Sequence, residues 1–281
     1  MELSIVIVNY NTREFLRACL ASLQACTLEH EVIVVDNASQ DGSVEMVQSN
    51  FPMVKLLAQA ANTWFCGGNN LGIQAARGEY VLLLNPDTAI ETGALEQLVA
   101  FLRHHPHYAG ATAQLIYPNG QTQQTCSRLI PFRYLLYTLT PWGMMRPHAR
   151  QRLQQHIWYQ DEGFDRTADR DVETLPGSCL LMRRAEIQLD ADLLLYFPED
   201  MLAWQHAHRP FRFVAGARIQ HFEKSSTRNW NASRIFFRDA LIFTHKRFGY
   251  GARLMLWGLT RPLWLAMWAR HHLFRQTSLK R

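Results

Sequence analysis

The chain has 281 residues, 48% hydrophobic and 19% charged, with a net charge of +5 at neutral pH. That length can bury a substantial core, and the composition excludes collagen-like, low-complexity and disordered classes. The five cysteines, Cys19, Cys26, Cys66, Cys126 and Cys179, are odd in number and show no CxxC spacing. Neither a disulfide frame nor a zinc site is supported, and buried thiols in a reducing compartment are expected.

The charge is unevenly placed. From Lys224 onward, twelve Lys and Arg face a single acid, Asp239, which leaves residues 1–223 at −6. The expected organisation is an acidic catalytic body, 1–223, and a basic, aromatic-rich helical tail, 224–281, with an anionic partner. The first strand begins within a few residues of Met1. That leaves no room for a signal peptide, so a cytoplasmic location is expected.

In chain order, residues 3–8 predict a buried strand, and Thr12 is placed to start a helix carrying Phe15, Leu16, Cys19, Leu20 and Leu23 on one face. Residues 31–35 form a second strand, closed by a polar loop from Asp36 through Asp41 to Ser43 that leads into a short helix. A third strand spans 54–57. The loop 58–68 enters a helix near Asn69 that stops at Gly78. Tyr80 to Leu84 reads as a strand buried on both faces. Pro86 removes a ladder donor and ends it, leaving Asp87 at its carboxyl tip.

Leu95, Leu98, Val99 and Leu102 mark another helix. Residues 109–116 and 121–126, around the Tyr117-Pro118-Asn119-Gly120 turn, predict a hairpin. Residues 130–170 carry no clean period and read as short helices and loops. A strand with a bulge at Pro176-Gly177-Ser178 is expected over 175–182, then a helix from near Glu199 and a strand over 211–215. Alternating strands and helices with long crossovers predict a doubly wound α/β sheet. No GxGxxG follows the first strand, which disfavours a dinucleotide site.

Asp36, Asp41 and Asp87 follow three strands of such a sheet and can converge at one edge. Gathered carboxylates repel one another unless a cation lies among them. A hard divalent ion, Mg²⁺ or Mn²⁺, takes oxygen ligands and leaves room for substrate phosphates.

Several segments together resemble a known family. They are Ser4 to Asn11, Val34 to Ser43, Gly67-Gly68-Asn69-Asn70-Leu71-Gly72, Leu84-Asn85-Pro86-Asp87, Pro176-Gly177-Ser178-Cys179 and Glu199-Asp200, in the family's order. The chain resembles the inverting glycosyltransferases of family 2, with their A-type nucleotide-sugar fold, and within them the rhamnosyltransferase-like enzymes of bacterial surface polysaccharides. The resemblance implies a Rossmann-like, mostly parallel sheet flanked by helices. It implies that Asp36 binds the donor nucleoside with Asn9 beside it, and that Asp41 belongs to the same donor loop. Asn85 and Asp87 would stand at the DxD position, with Asp87 as metal ligand and His221 completing the metal site. Asn85 departs from the pattern by being neutral, which predicts weaker metal binding. Gly68, Asn69 and Asn70 would line the donor pocket, with Trp64 where the family often has glycine. Gly177 and Ser178 would face the acceptor. Glu199-Asp200 would supply the catalytic base, Asp200 by direct match of the pair and Glu199 by ungapped counting.

The implied reaction moves a sugar, dTDP-rhamnose as first guess, from a nucleotide-diphosphate donor to a hydroxyl of a lipid-linked glycan, with a divalent metal as cofactor. The alternatives are a same-fold nucleotidyltransferase and a catalytically silent, membrane-associated subunit of a polysaccharide assembly complex. In the tail, Trp257, Trp264 and Trp268 alternate with Arg253, Arg261 and Arg270. No uncharged run reaches the ~18–20 residues of a membrane span. This pattern predicts an interfacial segment drawn to anionic lipid, peripheral on the inner face of the cytoplasmic membrane. The competing reading is a helix that only caps the core. No nucleic-acid motif accompanies the charge.

Overall fold

A computed structural model describes residues 1–223 and 230–278. The segment 224–229, where the boundary between body and tail falls, and 279–281 lie outside the described residues. The first half alternates as expected. It runs β1 (Leu3–Asn9), α1 (Arg13–Leu23), β2 (His30–Asp36), α2 (Ser43–Asn50), β3 (Lys55–Ala58), α3 (Trp64–Ala75) and β4 (Tyr80–Leu84). After β5 (Thr88–Ile90), α4 (Ala94–His104) and β6 (Gly110–Ile116), the chain enters three short helices, α5 (Phe132–Leu139), α6 (Trp142–Met145) and α7 (Pro147–Ile157). The last elements are β7 (Arg170–Val172), β8 (Cys179–Arg183), α8 (Pro198–Gln205), β9 (Phe211–His221) and α9 (Trp230–Ser278).

The strands form one mixed sheet in the order β3-β2-β1-β4-β8-β6-β9-β5, with β7 on β9. The four strands β3, β2, β1 and β4 are mutually parallel, whereas β8 runs antiparallel to β4. Every residue of β4 is buried, because β1 and β8 flank it and helices cover both faces. One apolar core packs α1, α2 and α4 against one face, and the other joins α3, the 130–203 region and α9 on the opposite face.

Several boundaries differ from expectation for identifiable reasons. Helix α3 begins at Trp64, five residues before Asn69, because Asn37 fixes its first turn from across the sheet edge. The Asn37 side chain accepts from the Thr63 amide and hydroxyl and donates to the Trp64 carbonyl. The helix ends at Ala75, and Gly78 is no cap. A Cβ at Gly78 would stand 2.6 Å from the Ser4 amide nitrogen, so glycine is needed there for close approach to β1.

Residues 121–126 form no second hairpin strand. Only an isolated bridge links Ile116 to Thr122, and β6 pairs instead with β8 and β9. The bulged strand expected over 175–182 starts only at Cys179, and Pro176-Gly177-Ser178 precedes it as loop. Strand β9 runs on to His221, past a register shift opposite Ala113 and Gln114. All five cysteines are free thiols, four of them buried.

The tail helix is two helices merged across Gly249, whose φ of 88° breaks the spiral. The chain doubles back there, since the rings of Trp230 and Trp264 lie 6.0 Å apart. The part before Gly249 is core: Phe243 is fully buried and Phe237 and Ala240 nearly so. The part after it exposes Leu254, Met255, Trp257, Leu263, Leu265 and Trp268. Among the described residues no helix is long and apolar enough to cross a membrane.

Candidate active site

The carboxyl tips of β1 and β2 lie side by side, Asn9 paired with Asp36 in register. The Asn9 amide donates to Asp36 Oδ2 at 2.7 Å and the Ser39 backbone N–H donates to Oδ1 at 2.8 Å. Both residues are buried. Internal donors thus meet both oxygens of the buried Asp36 side chain. Thr12 does not cap α1 with its hydroxyl, which donates to Asn9 instead. Asp41 takes that work from the neighbouring loop. Its Oδ2 accepts the Arg13 amide at 2.8 Å, and its Oδ1 accepts from the amide and hydroxyl of Ser43. Burial raises the Asp41 carboxyl, and those hydrogen bonds outweigh it and hold the group below the usual range.

The glycine and asparagine segment of α3 has packing roles. A Cβ at Gly68 would come 2.8 Å from Val8 Cγ1, and one at Gly72 2.2 Å from Val6 Cγ1. These glycines let α3 lie directly on β1. The Asn70 amide exchanges both hydrogen bonds with the Leu189 backbone, and the Asn69 amide donates to the Phe65 carbonyl. The side-chain amide of Asn70 is therefore spent on clasping α3 to the 189–197 loop.

A cavity of about 380 Å³ opens beyond β4. Its walls include Asn85, His221, Glu199 and Asp200, with Trp158 and Phe65 as aromatic surfaces. The Ser178 carbonyl accepts the Asn85 amide at 3.1 Å, and a Cβ on the adjacent Gly177 would stand 3.7 Å from Glu199 Oε1. A Cβ on Gly177 would meet Phe65 Cζ at 3.2 Å and reduce this space.

Three-residue strand β5 pairs antiparallel with β9, Thr88 opposite His221. This register puts His221 Nε2 at 3.4 Å from Asp87 Oδ1. Gln123, which sequence reasoning missed, orients the ring. Its Nε2 donates to the His221 carbonyl at 2.7 Å, so its Oε1 is left to accept from His221 Nδ1 at 2.9 Å. With Nδ1 donating to Gln123, Nε2 is the ring nitrogen turned toward Asp87 Oδ1, and either a proton or a metal ion between those two atoms satisfies both.

Among the described residues there is no group of three or more His, Cys, Asp or Glu that could hold a metal. An Asp87 carboxylate and a His221 imidazole are donor types that would suit a hard divalent ion completed by phosphate oxygens and water.

Burial raises the Glu199 carboxyl above its ordinary value. Burial also raises Asp200, the Glu199 charge adds to that, and the Arg247 guanidinium on α9 opposes it. Such shifts are characteristic of groups tuned for proton transfer near neutral pH. Arg247 carried no sequence signal, since its approach to Asp200 depends on how the tail packs. Arg166 is likewise buried. It donates to the carbonyls of Thr125, Cys126, Trp158 and Phe164, fixing the loop that forms one cavity wall.

Residues 4–173 match the sequence model described as glycosyl transferase family 2. Over 99% of its length the chain is 26% identical to the N-acetylglucosaminyl-diphospho-decaprenol L-rhamnosyltransferase of Mycobacterium tuberculosis (strain CDC 1551 / Oshkosh), covering 94% of that relative. A Bacillus subtilis (strain 168) relative, EpsH, is 33% identical over 100 residues, 34% of this chain and 29% of EpsH, so the chain matches under a third of that protein. The fold is similar to that of the mannosyltransferase PcManGT from Pyrobaculum calidifontis, solved in complex with GDP-Man and Mn²⁺. The TM-score is 0.54 at 16% identity, covering 86% of this chain and 62% of that one.

Proposed function

Because the chain belongs to glycosyl transferase family 2, we propose that it is an inverting, metal-dependent glycosyltransferase. It transfers a sugar from a nucleotide diphosphate to a hydroxyl of a lipid-linked glycan in polysaccharide assembly. The observation that carries this reading is a cavity that Asn85, His221, Glu199 and Asp200 line together. Paired carboxylates sharing a cavity with an amide and an imidazole suit a displacement that needs a base beside a held diphosphate. In this reading Asp36 and Asn9 hold the nucleoside, and Asp87 and His221 hold the metal. Gly177 and Ser178 leave room for the acceptor.

The acceptor hydroxyl attacks the anomeric carbon as its proton passes to the carboxylate of Asp200 or Glu199. The bond from that carbon to the diphosphate oxygen breaks, and its electron pair leaves with the nucleoside diphosphate. Attack from the face opposite the leaving group inverts the centre. When bound, the divalent ion offsets negative charge building on the diphosphate. No side chain becomes covalently attached.

The full-length similarity to a rhamnosyltransferase acting on a diphospho-decaprenol acceptor supports a lipid-linked acceptor and makes dTDP-rhamnose the first donor to assay. The exposed apolar residues after Gly249, with Arg253 exposed among them, support peripheral binding to an anionic membrane surface. Diphosphate release from a panel of nucleotide sugars, with and without Mn²⁺, tests the proposal. Metal-stimulated release from one donor, retained in no Asp87→Ala sample, is expected. Absence of turnover with every donor favours a silent assembly subunit.

A further inference from the structure

The only acid of the tail, Asp239, is completely buried. Its Oδ2 accepts three successive backbone amides, from Leu194 at 3.1 Å, Leu195 at 2.9 Å and Tyr196 at 3.0 Å. Arg238 donates to the other oxygen at 2.7 Å. The stretch holding these amides has no helix or strand to satisfy them, so one carboxylate does what a regular element otherwise would. Leu195 lines the cavity, and the Leu194 carbonyl accepts the Cys66 amide of α3 at 3.1 Å. The same loop therefore touches the helix beside the donor loops and the cavity.

The next residue, Phe197, has φ of 65°, a left-handed conformation that is strained for a bulky side chain. Pro198, Glu199 and Asp200 follow at once as the first turn of α8. The strain is held from α9. The Phe197 ring stacks on Phe243 at 5.1 Å and tilts against Phe236 at 5.6 Å. Phe236, Asp239 and Phe243 recur at three- and four-residue spacing on one helix face. Further along, Lys246 pairs with Asp190 at 2.7 Å and with Asp192 at 2.6 Å, pinning the start of the same loop.

We propose that Asp239 is a positioning residue. Through the amides of Leu194, Leu195 and Tyr196, the tail helix sets the strained turn that presents Glu199-Asp200 to the acceptor. The part of the tail before Gly249 is then a component of the active site, and the acidic body alone is catalytically incomplete. This inference rests on the reading that Glu199-Asp200 supplies the base.

The test uses the full chain and two substitutions, Asp239→Ala and the isosteric Asp239→Asn, whose neutral oxygen accepts the three amides more weakly. Hydrogen–deuterium exchange of the 190–197 peptide should be slowest in wild type, severalfold faster in Asp239→Asn and at least about tenfold faster in Asp239→Ala, with β1 and β4 peptides unchanged. The kcat should fall in the same order, by about ten- to a hundredfold in Asp239→Ala, while the donor KM stays within about threefold. Where Asp239→Ala does not fold, Asp239→Asn decides alone.

Exchange at 194–196 no faster than wild type overturns the proposal. So does faster exchange with unchanged kcat, or acceleration spread equally over β1 and β4. A wild-type protein that turns over no nucleotide sugar sinks the proposed reaction, while the exchange measurement still decides whether Asp239 anchors the loop.

Discussion

Asp87 Oδ1 and His221 Nε2 lie 3.4 Å apart because Thr88 and His221 are direct partners between β5 and β9. If this pair holds the donor metal, Asp87→Ala lowers metal-dependent diphosphate release by about 10²–10³-fold. Gln123→Leu, which removes the acceptor from Nδ1, weakens Mn²⁺ binding about 10–100-fold in a calorimetric titration. Wild-type Mn²⁺ affinity in Gln123→Leu would show that the ring needs no such orientation.

Glu199 and Asp200 both face the cavity, and substitution separates them. Replacement of the true base by its amide, Asp200→Asn or Glu199→Gln, costs about 10²–10⁴ in kcat. The other amide variant loses much less. Equal, modest losses in both would argue against either carboxylate as base.

The pH dependence follows from the direction of the Asp200 shift. A base must be ionised, and burial together with Glu199 raises Asp200, opposed by Arg247, with the Tyr134 hydroxyl also nearby. The rate therefore climbs with pH along a limb lying above the ordinary carboxylate range. Arg247→Gln removes the opposing charge and moves that limb further up. A profile flat from pH 5 to 8 in wild type would contradict this assignment.

Stability carries the opposite sign. A carboxyl raised in the folded state favours folding while protonated, and this contribution is lost as pH rises through its folded value. Glu199 is raised by burial, so at pH 8 Glu199→Gln should melt higher than wild type, by ~2–4 °C for a gain of about 1 kcal/mol. At pH 4 the two should coincide. A lower melting point at pH 8 would refute the sign.

Gly72→Ala puts a methyl into Val6, where the contact would be 2.2 Å. Overpacking of this kind costs about 1–3 kcal/mol, read as a lower urea midpoint with unchanged slope. Unchanged stability would mean that α3 can lift off β1 at no cost.

The exposed apolar residues after Gly249, with Arg253 exposed among them, should bind vesicles of anionic lipid in sedimentation assays and release them in high salt. Trp257→Ser combined with Trp268→Ser should weaken that binding severalfold. Equal binding to neutral vesicles, or none to anionic ones, would leave the tail as packing alone.

The early strands and helices were legible in the sequence because they rest on local pattern. β4 announced itself as an unbroken apolar run ended by Pro86, and α1 by apolar residues at helical spacing. The motifs placed Asp36, Asp87, Gly177 and Glu199-Asp200 in chain order, and the last two line one cavity. Strand β5 was not legible: three residues carry no period, and its existence depends on β9 arriving from over a hundred residues away. Gln123 gave no signal either, since an isolated glutamine means nothing until a histidine ring stands beside it. Gly68 and Asn70 stood out in the sequence, but their packing work appears only once α3 is seated on β1 and beside Leu189.

The sequence by itself determined the α/β class, the family resemblance and the strand tip at Asn85-Pro86-Asp87, because these depend on neighbouring residues alone. Only the tertiary structure decided that Asp87 meets His221, that Asn70 is spent on a clasp, and that the lone acid of a basic tail turns inward. Each of those outcomes is a contact between residues far apart in the chain, set by strand register and helix packing.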